Sequence, residues 1–195
     1  MQLSFGLQRA SLAVFMYAAL GTVQFHFNMF GFDGPSVGEL FRLPVPARTL
    51  VLGKHLAVLA VALVEGVVLA VFLRGVRGEV LVECVAGLCV FLAVNLVMAA
   101  VGRFVSVVWP RTLPRSGMRG AAPPLPVVLV NLFGTLGIAG GLGSTHWLVL
   151  RYAPELLVPW GLAVLALAAG LFWLTLGPGA RFLEVRREHV LLAMR

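Results

Sequence analysis

The chain has 195 residues, of which 60% are apolar and only 12% are Asp, Glu, Lys or Arg, with a mean hydropathy of +0.98. A soluble domain of this length draws its polar shell from about 25% charged residues, so a disordered chain, a disulfide scaffold and a water-soluble enzyme are excluded. The formal charge of +7 comes from 14 Arg, Lys54 and eight acidic residues. The basic residues sit in connectors between apolar runs, which points to anionic headgroups and not to nucleic acid.

About 20 consecutive apolar residues span a bilayer, and five stretches qualify, at about residues 10–30, 55–73, 80–102, 127–150 and 156–176. They predict an all-α fold: a polytopic transmembrane helix bundle of about five spans forming a single domain over residues 1–195. Two long connectors, 31–54 and 103–126, and the tail 177–195 complete the chain.

Before the first span there is no positive charge ahead of Arg9, and no small-residue cleavage site follows, so no signal peptide is read there. Gln24, His26 and Asn28 crowd the far end of this span, where interhelical hydrogen bonding accounts for them. In the connector 31–54, Val37, Leu40 and Phe41 have the i, i+3, i+4 spacing of a short amphipathic helix. Pro44 ends that helix and Pro46 starts the next element, with Arg48 and Lys54 flanking the entry to the second span. A plain helix–helix linker needs roughly 2–8 residues. The greater length and the amphipathic pattern here predict a docking surface.

Glu65 falls near the middle of the second span, where an ionised carboxylate is costly. It reads either as a gate, proton or substrate site or as a hydrogen-bonded side chain packed on a neighbouring helix. In the third span, Cys84 and Cys89 point to different sides of a helix, and no second pair exists to complete a zinc site. Asn95 in the third span and Asn131 in the fourth are candidates for interhelical hydrogen bonds. The fourth span carries Gly134, Gly137, Gly140, Gly141 and Gly143. Gly137 and Gly141 form a G-x-x-x-G pair, read either as close helix packing or as a moving or lining helix, and the glycine density also points to an external half that is broken or re-entrant.

Catalytic sets are missing. Asp33 is the sole Asp, no H-E-x-x-H occurs, and Ser144 and His146 are two apart and face different ways on a helix. No phosphate-binding G-x-x-x-x-G-K-[ST] is present, so if ATP is used, another chain hydrolyses it. With five spans, 31–54, 103–126 and the tail share a side and carry 11 of the 15 basic residues. That asymmetry puts them and the C-terminus in the cytoplasm and leaves the N-terminus outside.

Leu-Phe-Arg-Leu-Pro-Val-Pro-Ala-Arg-Thr-Leu-Val-Leu-Gly-Lys54 resembles a recurrent segment of the ABC-2 type permeases, the membrane subunits of ATP-binding-cassette exporters. Phe41, Leu43, Pro44, Val45, Arg48, Leu52, Gly53 and Lys54 carry the match. A second match is Gly102-Arg-Phe-Val-Ser-Val-Val-Trp-Pro-Arg111, similar to a Gly-Asn-x-x-Ser-x-x-[Phe/Tyr]-Pro-Arg segment of such permeases. Arg103 departs from it, standing where Asn is more usual. The tail Arg186 to Arg195 is similar to the arginine- and leucine-rich tails that end these chains.

The resemblance implies a transport subunit in the cytoplasmic membrane working by alternating access, not an enzyme. ATP and magnesium would be held by a partner ATPase, with no cofactor or metal in this chain. The partners implied are that ATPase, a second permease half and membrane lipid. Residues 31–54 would be the coupling region, with Glu39, Arg42, Arg48 and Lys54 as polar contacts and Phe41 and Leu43 as apolar anchors. The region from Leu148 to Val158 would lie outside, where short re-entrant helices are common in the family. Family members have at least six spans, so this chain reads as spans two to six. A sensor or assembly factor with the same span count is the alternative function, and a membrane-embedded enzyme a more distant one.

Overall fold

The computed structural model describes residues 2–31, 33–78, 80–111 and 125–194. Of the connector and tail charges, Arg115, Arg119 and Arg195 lie outside the described residues. The fold is all-α. Its helices are α1 (Gln2–Phe27), α2 (Val37–Arg42), α3 (Ala47–Arg77), α4 (Leu81–Val108), α5 (Leu125–Tyr152), α6 (Leu157–Val185) and α7 (Arg187–Ala193). Among the described residues, Ala47–Val76, Leu81–Val108, Leu125–Tyr152 and Pro154–Val185 are long and apolar enough to cross a membrane, and Leu12–Phe27 is a shorter apolar segment.

The helices overrun the apolar windows that predicted them. At 1.5 Å per residue, a helix of 28 residues such as α4 is about 42 Å long, against a hydrocarbon core of about 30 Å. Thus α3 begins at Ala47 instead of residue 55, α4 runs to Val108 instead of 102, and α6 continues through Pro178 to Val185 instead of stopping at 176. The start of α3 is set by Pro46, held at φ −59°, ψ 143°, whose missing N–H costs nothing ahead of a helix. Its end is set by Gly78 in the left-handed region at φ 67°, a conformation that favours glycine.

Two expectations for α5 and the connection that follows it are corrected. The glycine-rich α5 is one uninterrupted helix, neither broken nor re-entrant. Hydrocarbon offers no partner for a freed N–H or C=O, so the intrahelical ladder persists through residues that would weaken it in water. Nor does the region from Leu148 to Val158 hold a re-entrant helix: α5 passes through Ala153 and a single 3-10 turn, Pro154–Leu156, into α6.

α4 is the axis of the bundle, packed against α1, α3, α5 and α6. It is apolar on all sides, as a central helix should be, and its small residues let neighbours close in. A Cβ on Gly87 would meet the Phe15 ring at 2.8 Å, and one on Gly66 of α3 would meet Leu88 at 2.6 Å. The outer helices show the reverse pattern. α3 touches the interior through one stripe of buried residues, Val51, His55, Ala62, Gly66 and Leu73. Its other faces, with those of α5 and α6, expose Val64, Val71, Phe133, Leu167 and Leu174. Such an exterior is matched to hydrocarbon and would be unstable in water.

Candidate functional site

One end of the bundle gathers three segments far apart in sequence. Met29 and Phe30 after α1, Val37 and Phe41 of α2, Val51 of α3, Val107 of α4, Leu176 and Leu183 of α6, and Val190 and Met194 of the tail form one buried apolar cluster. Phe30 and Phe41 meet edge to face at 5.6 Å, and the Arg187 guanidinium lies 5.2 Å from the centre of the Phe41 ring. His189 Nε2 lies 3.2 Å from the Val108 carbonyl oxygen, tying α7 to the end of α4.

The six coupling candidates divide by environment. Phe41 is only 8% exposed, so the apolar face of α2 is turned into the bundle, and this side chain anchors the fold itself. Leu43 is 52% exposed at the tip of the extended turn between α2 and α3, beside exposed Val45. Arg42 and Glu39 pair at 3.0 Å, both largely in solvent. Arg48 is exposed on the first turn of α3. Lys54 is partly buried in an ion pair with Asp33, fastening the entry of α3 to the segment that precedes α2. Between this turn and the tail lies a cavity of about 150 Å³, bordered by Leu43, Val45, Leu50, Leu183, Glu184 and Arg187.

Asn28 caps the same end from below. Its Oδ1 accepts from the Arg111 backbone N–H at 3.3 Å, and its side chain fills the place a Cβ on Gly31 would take. Burial pushes the Arg111 guanidinium below its ordinary value.

The second polar group is inside the bundle. Asn95 Nδ2 donates to the Phe91 carbonyl at 3.0 Å, which fixes the amide orientation. Its Oδ1 then accepts from the Thr22 hydroxyl at 2.7 Å and from His26 Nε2 at 3.1 Å, so His26 carries its proton on Nε2. The His26 ring lies 5.9 Å from that of His55, and His55 lies 5.9 Å from Phe172, edge to face. Over the same Phe172 ring, at 4.5 Å, sits the guanidinium of Arg103. Interhelical hydrogen bonding accounts for Asn95 and His26; Asn28 instead joins the connectors after α1 and α4, and Gln24 stays exposed.

Other candidates do not join this group. Glu65 is half-buried on α3 and makes no ion pair among the described residues. The Asn131 Oδ1 is buried without a partner. A Cβ on Gly137 or on Gly141 would meet nothing within 4 Å, so among the described residues the G-x-x-x-G pair makes no close helix contact within the chain. His146 is buried against Trp160 at 5.4 Å while Ser144 is exposed, consistent with no dyad. Cys84 and Cys89 are both buried on α4. Among the described residues, no three His, Cys, Asp or Glu side chains are grouped to hold a metal.

Sequence reasoning missed the interior role of Arg103, His55, Thr22 and Phe172. Arg103 was expected as a surface charge of the connector 103–126; it lies within α4 and is 1% exposed. Its departure from the permease segment was the one signal that marked it. No protein-family model, curated protein or solved structure matches the chain.

Proposed function

We propose that the chain is the membrane-spanning subunit of an ABC-2 type exporter, driven by a separate ATPase that docks at the α2–α3 turn. The observation that carries this reading is the convergence of its three motif-bearing segments. Residues 41–54, residues 102–111 and the tail are the parts that resemble such permeases, and they meet around one buried cluster at one end of the bundle. A partner bound there would touch the turn, the end of α4 and the tail together. Through α3, α4 and α6 it could move the whole bundle as a unit.

Charge supports the same end as the cytoplasmic one. Arg42, Arg48, Lys54, Arg111, Arg181, Arg186 and Arg187 belong to the segments at this end, whereas Arg74 and Arg151 lie at the opposite helix ends. Moving Arg103 to the interior leaves the bias intact. Leu43 and Val45, exposed between basic residues, supply the apolar tip that a groove on a soluble subunit would accept.

The test is co-expression with an ATPase encoded beside this chain, followed by gentle detergent extraction. Association and stimulated ATP hydrolysis are expected. Leu43→Asp combined with Arg48→Glu should abolish stimulation while the protein still inserts. Recovery of the inserted wild-type chain with no ATPase bound would overturn the proposal.

A further inference from the structure

Arg103 poses an electrostatic problem that the fold does not solve. Its Nε donates to the Ala99 carbonyl at 3.2 Å and its face rests on Phe172. The two terminal nitrogens, Nη1 and Nη2, are buried with no hydrogen-bond partner. No carboxylate lies within ion-pair distance among the described residues. His55, packed on the same Phe172 ring, also has a buried Nε2 without a partner. A buried guanidinium without a counterion is strongly destabilising, and a free Nη1/Nη2 fork is the geometry that takes an oxyanion through two parallel hydrogen bonds.

The surroundings are shaped around this side chain. A Cβ on Gly179 would lie 2.4 Å from Arg103 Cδ, so α6 leaves room for the arginine by carrying glycine there. Its depth is specific too. Arg103 lies five residues before the end of α4 at Val108, or roughly 7–8 Å along the axis. A helix of about 42 Å overhangs a core of about 30 Å by about 6 Å at each side. Arg103 therefore sits at the level where hydrocarbon meets headgroup.

We infer that Arg103 and His55 form an occluded site for an oxyanion, a phosphate or carboxylate group carried at headgroup depth by an amphiphile. The anion supplies the missing charge and accepts from both Arg103 terminal nitrogens and from His55 Nε2. That the bound amphiphile is the transported cargo rests on the exporter reading; the binding itself does not, and is measured without any ATPase.

The experiment uses the purified full chain in dodecyl maltoside micelles at fixed ionic strength and follows the thermal unfolding midpoint. One arm dopes the micelles with dioleoyl phosphatidic acid, a second with dioleoyl phosphatidylcholine, and a third adds inorganic phosphate alone. A saturable rise with phosphatidic acid is expected, absent with phosphatidylcholine, with the half-saturating fraction raised at least tenfold by Arg103→Asn. Arg181→Gln, which removes an exposed arginine at the same end, should leave it unchanged. An equal rise with inorganic phosphate also supports the site and identifies a free anion as its ligand. No saturable rise in the wild type, or the same half-saturation in Arg103→Asn as in Arg181→Gln, overturns the inference. If Arg103→Asn does not fold, Arg103→Lys decides: it keeps the charge and loses the fork, and unchanged half-saturation overturns the inference as well.

Discussion

Gly179 and Arg103 occupy one volume between α6 and α4: a Cβ on Gly179 would come within 2.4 Å of Arg103 Cδ and 3.0 Å of its Cγ. These atoms are in the middle of a buried side chain held over Phe172, so they cannot swing aside as a free tip would. Gly179→Ala should therefore destabilise the protein by about 1–3 kcal/mol, as overpacking of a filled interior does. Gly177→Ala, where nothing lies within 4 Å, should be neutral. Thermal unfolding of the two variants checks this. If the clash is with Arg103, Gly179→Ala should cost less in an Arg103→Asn background, and additive effects would place the clash elsewhere.

A second glycine on α4 tests the contact with α1. A Cβ on Gly102 would lie 2.4 Å from the His26 carbonyl oxygen and 2.6 Å from its carbon. Backbone cannot yield, so Gly102→Ala should displace α1 and cost at least the upper end of the roughly 1–3 kcal/mol range. By contrast Gly137→Ala and Gly141→Ala meet open space. They should be neutral or gain up to about 1 kcal/mol from helix propensity. Unfolding midpoints of the purified monomer separate the two classes.

Most of the fold was legible because a run of about 20 apolar residues signals a helix of membrane-spanning length directly. Each apolar window of about 20 residues became a helix, and Pro44, Pro46 and the Val37–Leu40–Phe41 spacing placed α2 and its end correctly. Helix limits were less legible, since backbone hydrogen bonding carries a helix past the apolar window into polar surroundings. Arg103 was misplaced for a different reason. Its burial depends on a glycine at position 179 and an aromatic ring at position 172, which no local pattern around residue 103 reveals. Phe41 and Leu43 read alike in sequence as apolar residues of one connector. Only the fold separates the side chain facing Phe30 from the one facing out.

The two ion pairs of the connector should differ in worth. Lys54 and Asp33 keep 25% and 19% of their side chains exposed, while Arg42 and Glu39 keep 78% and 74%. Water and salt screen the second pair, so its double-mutant coupling should stay below about 0.5 kcal/mol and vanish in high salt. The first is shielded and joins α3 to the start of the connector, so its coupling should be on the order of 1 kcal/mol and survive salt. Cycles of Lys54→Met with Asp33→Asn and of Arg42→Met with Glu39→Gln, read by thermal unfolding at low and high salt, measure both.

Phe41 and Leu43 should separate stability from coupling. Phe41 fills the cluster that joins α2 to α3, α4, α6 and the tail, so Phe41→Ala leaves a cavity and should cost about 3–5 kcal/mol. Phe41→Leu, which keeps most of the volume, should recover much of that loss. Leu43 projects from the turn and packs on little of its own chain, so Leu43→Ala should leave the unfolding midpoint within about 0.5 kcal/mol of wild type. Under the proposed exporter function the order reverses. Leu43→Ala should reduce ATPase stimulation in a chain that is fully folded, whereas Phe41→Leu should retain it. Equal destabilisation by Leu43→Ala and Phe41→Ala would make the turn part of the core, and the partner's contact would then have to lie on Arg48 and the tail.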